Sequence, residues 1–512
     1  MRMMYAKIVK LFLQSIFFLL ICLSFIGFCL ETDTITSGVS INDPDTIISG
    51  RQVFKLGFFT PDNSTKRYFG VFYTVSEKTV IWIANRDKPL YDSSGTVTIS
   101  RDGNLVLMNG RNETIWSTNA TITSPMNTSA QIQDTGNIVL HDISTGRTIW
   151  ESFSYPSNVF MPTMQLVDNV NTDKKVVISS WKTGSDPGVG SFTTGLEALN
   201  IPQIFIWNNG RPYWRSGPWN GQILIGVQDM YSPYNDRFSV DDDPPGNFYF
   251  TAPEGGILMN FALNSSGSLV QTLWNDQKKN WDISWWAPRN ECDVYATCGP
   301  FGSCNEHESP TCSCLRGFEP INREEWERGN WTSGCQRRRQ LQCDQSGGGN
   351  GDGFLRLPFM KVPDFAEHFS SGQVEECLAR CSRNCSCLAY AHDLHIGCMF
   401  WSESLIDLQK FSSVGVDLYI RLEASELVDS KWGELLNSGG VLALGGKLVV
   451  HGCPYASYLI FSHSQEEYDT QRSAYEADPD TSASDPQMTS PNQITKRPRR
   501  AKVKPSWMKD YY

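Results

Sequence analysis

Between Cys29 and Cys292 the 512-residue chain has no cysteine. That gap leaves no disulfide and no cysteine-ligated metal in the stretch. Charge is sparse as well, at 19% of residues, and the net balance of −11 argues against nucleic acid as the main partner. The marks of phosphoryl transfer are missing: there is no Gly-rich loop with a strand lysine, no His-Arg-Asp and no Asp-Phe-Gly. LGGK at 444–447 is too little for a nucleotide loop. The Gly-rich SGGGNGDGF at 346–354 is followed by no Gly-Lys-Ser/Thr, so it reads as a linker. No nucleophile elbow occurs. Beyond the N-terminus no apolar run is long enough to span a bilayer: VLALGGKLVV at 441–450 is short, Gly-broken and interrupted by a lysine.

What is present points outward from the cell. Arg2, Lys7 and Lys10 precede an apolar run from Leu11 to about Phe28, with the small residues Gly27 and Cys29 at its end. This is the layout of a cleavable signal over 1–29, whose removal takes Cys22 and Cys29 with it. Twelve cysteines then crowd between Cys292 and Cys398, and Cys453 stands apart. An even, dense set reads as a disulfide framework, which requires an oxidising compartment. His392, His395 and Cys398 have a metal-like spacing, but in that compartment the disulfide reading takes precedence; no metal and no cofactor is expected. Seven Asn-X-Ser/Thr sequons, at Asn63, Asn112, Asn119, Asn127, Asn264, Asn330 and Asn384, fit a glycosylated extracellular surface.

The pattern from 30 to 155 is that of strands. GTVTIS at 95–100 alternates apolar and polar residues with period two. RDGNLVLMN (101–109) and DTGNIVLHD (134–142) each join a turn to an apolar strand, with Asp102-Gly103 and Thr135-Gly136 supplying the turn. Each is followed by an Ile-Trp strand, and Trp82, Trp116 and Trp150 stand 34 residues apart. Three such units predict three small sheets about a pseudo-threefold axis, with the tryptophans toward the centre.

GNLVL, GNIVL, IWIANRD and this metre resemble the bulb-type mannose-binding lectin domain of plants, whose fold is a β-prism. That family binds mannose through a Gln-x-Asp-x-Asn-x-Val-x-Tyr pattern, in which amide and carboxylate groups hydrogen-bond sugar hydroxyls and the valine gives an apolar contact. Here the first copy reads Ser100, Asp102, Asn104, Val106, Met108 and the second Gln133, Thr135, Asn137, Val139, His141. Each keeps three of the five residue types and neither has the tyrosine. The resemblance therefore implies a degenerate sugar site at Asp102, Asn104, Val106, Gln133, Asn137 and Val139.

From 160 to 288 the strands continue. IFIWNNGRPYW (204–214) predicts a hairpin about Asn209-Gly210, and SLVQTLWNDQKKNWDISWW (268–286) a second one with a polar tip. WRSGPWNG (214–221), followed by SWWAPRNECDVYATCGPFGSC, resembles the S-locus glycoprotein domain. CSCLRGFEP at 312–320 resembles the second half of an EGF-like module, here over 289–336. By that family's rule the pairs are Cys292–Cys304, Cys298–Cys312 and Cys314–Cys335, although spacing by itself leaves the connectivity open. QVEECLARCSRNCSC places Cys377 and Cys381 on one face of a short helix. It resembles a PAN/apple module over 343–424, closed by DLYIRL (417–422). That family implies Cys377–Cys398 and Cys381–Cys387, which leaves Cys343 for Cys385. From 428 to 512 the chain is divergent, with a polar stretch at 464–493 expected to be disordered and a basic KRPRRAKVK at 496–504 expected to be a solvated tail.

The expected fold is thus mainly β and multi-domain: a prism, a second β-rich domain, a disulfide-rich EGF-like module and a PAN module with a short helix. The order resembles the ectodomain of plant G-type lectin S-receptor-like kinases and S-locus glycoproteins, without the transmembrane and kinase parts. That resemblance implies a secreted, apoplastic glycoprotein that binds an extracellular peptide or protein, as in pollen recognition or defence, and no enzyme. A homodimer or a heteromer with related receptors is among the implied assemblies. The competing readings are a mannose-type lectin taking a glycan and a fragment of a membrane receptor serine/threonine kinase. Only the last, with a transmembrane segment, would sit at the plasma membrane.

Overall fold

The computed structural model describes residues 33–427, less 124, 170–173, 199, 232–237, 244–246, 252–255, 345–350 and 371, together with 442–444 and 447–448. The expected signal, Cys453 and the stretch from 449 onward lie outside the described residues. Two compact units divide between Tyr295 and Ala296.

The first unit begins with a prism of twelve strands: β1 (Thr34–Thr36), β2 (Ser40–Asn42), β3 (Thr46–Ile48), β4 (Phe54–Phe59), β5 (Tyr68–Tyr73), β6 (Val80–Ile83), β7 (Thr96–Ile99), β8 (Leu105–Met108), β9 (Thr114–Ser117), β10 (Thr128–Ile132), β11 (Ile138–Asp142) and β12 (Thr148–Glu151). They form three four-stranded antiparallel sheets, ordered β3-β4-β5-β6, β2-β7-β8-β9 and β1-β10-β11-β12. The first three strands are one per sheet, so a single segment, 34–48, laces all three sheets together. The sequence pattern showed the repeats but not this lacing.

Trp82, Trp116 and Trp150 each lie on the last strand of a sheet, opposite Val71, Leu107 and Leu140. In every sheet the register shifts immediately beside that pair. The extra residue of such a bulge bends and twists the strand. Here it accompanies the turn of each indole inward. The three rings meet at the axis edge to face, with centroids 5.5, 6.0 and 5.8 Å apart and planes inclined at 74°, 69° and 71°. This is the arrangement that the ring quadrupoles favour. Gly136 shows how tight the packing is. Its φ is +85°, and a Cβ there would come within 2.5 Å of Ile81 Cδ1.

A second β-rich domain completes the first unit. One sheet is Val177–Thr183, Asp186–Glu197, Gln203–Asn208 and Arg211–Arg215; another is Val159–Phe160, Met259–Leu263, Leu269–Asn275 and Asn280–Ala287. A smaller sheet joins Leu166–Val167, Asn247–Thr251 and Ser239–Asp243. The hairpin at Asn209-Gly210 has both residues at positive φ, +48° and +79°, as a two-residue primed turn requires. The outer side of β4-β5-β6 is covered by this domain: Phe59, Tyr68, Phe72, Val80 and Ile83 cluster with Trp181. Arg86, in the IWIANRD segment, donates to the carbonyls of Pro187 (2.8 Å), Ser179 (3.0 Å) and Ser180 (2.8 Å). Burial pushes its guanidinium down to about 10, so it stays charged at neutral pH. Nothing in the sequence pattern marked this residue.

The second unit is held by sulfur. Bridges join Cys298 to Cys312, Cys314 to Cys335, Cys343 to Cys385, Cys377 to Cys398 and Cys381 to Cys387. Cys304 is disulfide-bonded as well, and so is Cys292 of the first unit. The helix Val374–Arg383 carries Glu375 and Glu376 in its first turn and Arg380 and Arg383 in its last, complementing the helix dipole. Its buried Cys377 and Cys381 face the strands Ala389–Asp393 and Gly397–Trp401. The EGF-like and PAN-like stretches are not separate bodies. Gly302–Cys304 runs parallel to Leu408–Lys410, and so both belong to one sheet. Leu442–Leu444 adds a strand beside Asp352–Lys361, so the divergent segment is not structureless throughout.

Two outcomes follow from the first unit. Trp82→Ala removes one third of the triad and the indole donor to Tyr155 O at 2.9 Å; it should lower the unfolding free energy by about 3–5 kcal/mol in denaturant titrations, and an unchanged midpoint would refute the central role of the triad. Arg86→Lys keeps the charge but not the fork that reaches three carbonyls. It should still destabilise by about 2 kcal/mol, whereas full stability in the lysine variant would show that the charge alone matters.

Candidate functional site

The two degenerate sugar-type motifs occupy equivalent turns, between β7 and β8 and between β10 and β11. The backbone is the same in both. Ser100 N donates to Asn104 O and Gln133 N to Asn137 O, each at 2.8 Å, and the turn glycines close a second bond, Gly103 N to Ser100 O and Gly136 N to Gln133 O. Glycine at φ of +82° and +85° is what permits that closure.

The side chains, however, face inward. Asn104 is buried, and its Oδ1 accepts from Thr118 Oγ1 and Ala120 N, both at 2.7 Å. Its Nδ2 donates to Asp102 Oδ2 at 3.0 Å and to Ala120 O at 3.3 Å. All four hydrogen-bonding positions of that amide are taken within the chain. Asn137 is buried likewise: Oδ1 accepts from Ser152 Oγ (2.9 Å) and Phe153 N (3.1 Å), and Nδ2 donates to Glu151 Oε2 (2.9 Å). In both copies the amide fastens the segment after the Ile-Trp strand. Val106 and Val139 are buried too. Asp102 is exposed and Gln133 half-buried. Thus Asp102, Asn104 and Val106 lie together at one turn and Gln133, Asn137 and Val139 at the other, but the polar groups with the right chemistry largely bind one another.

The Ser100 hydroxyl, and after it Asn104, hold the Asp102 carboxyl below the usual carboxylate range. Asp142 is lowered similarly, first by the Ser144 hydroxyl. Both are plain acceptors at neutral pH. All seven sequon asparagines are exposed. The sulfurs of Cys298, Cys304 and Cys312 lie close together, yet each is in a disulfide and offers no thiolate to a metal. Cys398 is bridged to Cys377, which removes it from the His392, His395 set.

A carboxylate whose folded pKa is depressed adds stability above its unfolded value, near about 4, and that stability is lost as pH falls through the folded value. The chain should therefore lose stability on acidification below about pH 4. Ser100→Ala should make that loss shallower by raising the folded Asp102 value, with the two curves meeting at low pH; parallel curves in acid-denaturation titrations would exclude the hydroxyl as the cause.

Comparison with known proteins agrees with this geometry. The family model described as D-mannose binding lectin matches residues 79–182, the S-locus glycoprotein domain matches 214–322, and the PAN-like domain matches 343–408. None of these is catalytic. A G-type lectin S-receptor-like serine/threonine-protein kinase of Arabidopsis thaliana is 44% identical over 421 residues, covering 81% of this chain and 51% of the relative. Another from that organism, SD1-13, is 42% identical over 418 residues, covering 80% and 50%. A monomeric mannose-binding lectin from Gastrodia elata aligns at 20% identity with 24% of this chain and 96% of its own, at a TM-score of 0.19, and the strand topology rather than that likeness carries the fold. No helix among the described residues is long and apolar enough to cross a membrane. The chain spans about half the length of the curated relatives it matches. The chain thus carries a lectin, an S-locus and a PAN domain on a mainly β framework, and about four fifths of it is similar to about half of a G-type lectin S-receptor-like kinase.

Proposed function

We propose that this ectodomain recognises an extracellular peptide or protein, with the prism serving as a scaffold rather than as a mannose receptor. One observation carries the reading. The asparagines that would hold a sugar, Asn104 and Asn137, are buried and hydrogen-bonded to their own chain. A sugar would have to displace those bonds, leaving buried backbone groups unpaired at a cost of about 1–3 kcal/mol each. The third face supports the same reading, because the second domain covers it. The signal layout and the seven exposed sequons support a secreted, glycosylated product in the apoplast. A homodimer or a heteromer with related receptors is the form in which such an ectodomain would act.

A second reading places this sequence as the ligand-binding half of a membrane receptor serine/threonine kinase. It is favoured by the length of the relatives, about twice the matched stretch. A transcript read across the codons for Leu427 to Gly440 separates the two: a message entering this C-terminal segment and stopping supports the secreted form, and one entering a hydrophobic helix and kinase exons supports the receptor.

For the ligand class, the secreted chain should pass through mannose resin, and plant extracellular fluid should raise its melting temperature. That shift should vanish after protease treatment of the fluid and survive glycosidase treatment. Firm, mannose-competable retention on the resin, or a shift abolished only by glycosidase, would overturn the peptide reading in favour of a lectin.

A further inference from the structure

The centre of the prism is filled by three indoles, but the centre of the second domain is open. A cavity of about 280 Å³ lies between its two four-stranded sheets. Ile178, Ile204 and Trp214 line it from one sheet, and Phe261, Leu269 and Trp285 from the other. Protein interiors pack as densely as organic crystals and leave few voids larger than a water molecule. A smaller apolar cavity than this one stays dry and takes up benzene or xenon. The volume is also close to the lower end of small-molecule pockets. Close-packing of the walls has therefore not closed a space large enough for a ring and a short chain.

The polar lining limits what can enter. The Thr194 hydroxyl already donates to Phe205 O at 2.6 Å, and the Ser284 hydroxyl lies 3.4 Å from Gln271 O. Among the described residues Asp229 is the one ionic side chain in the lining. Its carboxylate is held by the Arg289 guanidinium at 2.7 and 3.2 Å, so its charge is met on the protein side. An anionic ligand would lose its hydration in an apolar chamber whose lining offers it no free cation among the described residues. A cationic one would have to displace Arg289. Trp214 and Trp285, edge to face at 6.2 Å, offer aromatic surface to a ring.

From these observations we infer that the cavity of the second domain is a binding site for a small, uncharged, ring-bearing molecule. This inference does not rest on the peptide reading above; the cavity is a second site within the same ectodomain.

The experiment uses the full secreted chain labelled at its methionine methyl groups. Met230 lines the cavity, whereas Met360 and Met399 belong to the second compact unit. The probe is 4-phenyl-1-butanol, with 4-phenylbutyrate as its charged counterpart. The alcohol should move the Met230 resonance to saturation and leave those of Met360 and Met399 in place. The carboxylate should bind about tenfold more weakly. Ile204→Trp, which fills the chamber, should abolish the effect while leaving the Met360 and Met399 signals unchanged. Should that variant fail to fold, Leu269→Phe takes its place, and the titration of the unaltered chain is decisive without either. No saturable shift at Met230, equal binding of alcohol and carboxylate, or undiminished binding in a filled variant would overturn the proposal.

Discussion

Three indoles on one axis set the terms for the first unit. Each ring belongs to a different sheet, and each sheet delivers its ring at a bulge beside the final strand. The distance between sheets is then fixed by ring size, and the register of each terminal strand by the need to aim its ring inward. The constraint extends outward through the Trp82 indole N–H, which holds the Tyr155 carbonyl where the chain leaves the prism. From that point the chain enters the second domain. Arg86 and the cluster about Trp181 then fasten that domain onto one outer face. A stretch without cysteine is thus ordered by aromatic packing and by a half-buried cation, Arg86, satisfied by backbone carbonyls.

The second unit meets the same need by different means. Its sulfur bridges close loops around a small cluster in which the half-cystines are themselves core residues. Cross-links of this kind act largely on the unfolded chain, whose entropy they reduce. That suits short strands and a ten-residue helix with little apolar surface of their own. The even cysteine count and the shared sheet are two sides of one solution: the bridges hold each strand locally, and the sheet merges what sequence patterning separates into modules.

Much of this was legible in residues 95–150. The GNLVL and GNIVL repeats and the tryptophan metre predict the three sheets and the central triad, because both are local and periodic. The helix with Cys377 and Cys381 on one face is legible for the same reason. The lacing by 34–48 is not, since its strands are three residues long and two of them, β1 and β2, pair with partners far along the chain. Nor is Arg86, whose three carbonyl partners lie more than ninety residues away in sequence. The sugar-type positions occupy the middle ground. Their residue types could be read directly, but whether Asn104 and Asn137 face solvent or their own backbone depends on where the next loop passes.

Sequence by itself determined the class, the repeat and the covalent setting of this protein: periodicity, turn residues and cysteine count are properties of the chain, legible before any contact forms. Tertiary structure alone decided what those residues do. It directed the asparagine amides to Ala120, Glu151 and Phe153, and it covered one prism face while leaving a chamber between the sheets of the second domain. The physical reason is that hydrogen-bond partners and voids depend on the meeting of distant segments, and no local pattern records where those segments will meet.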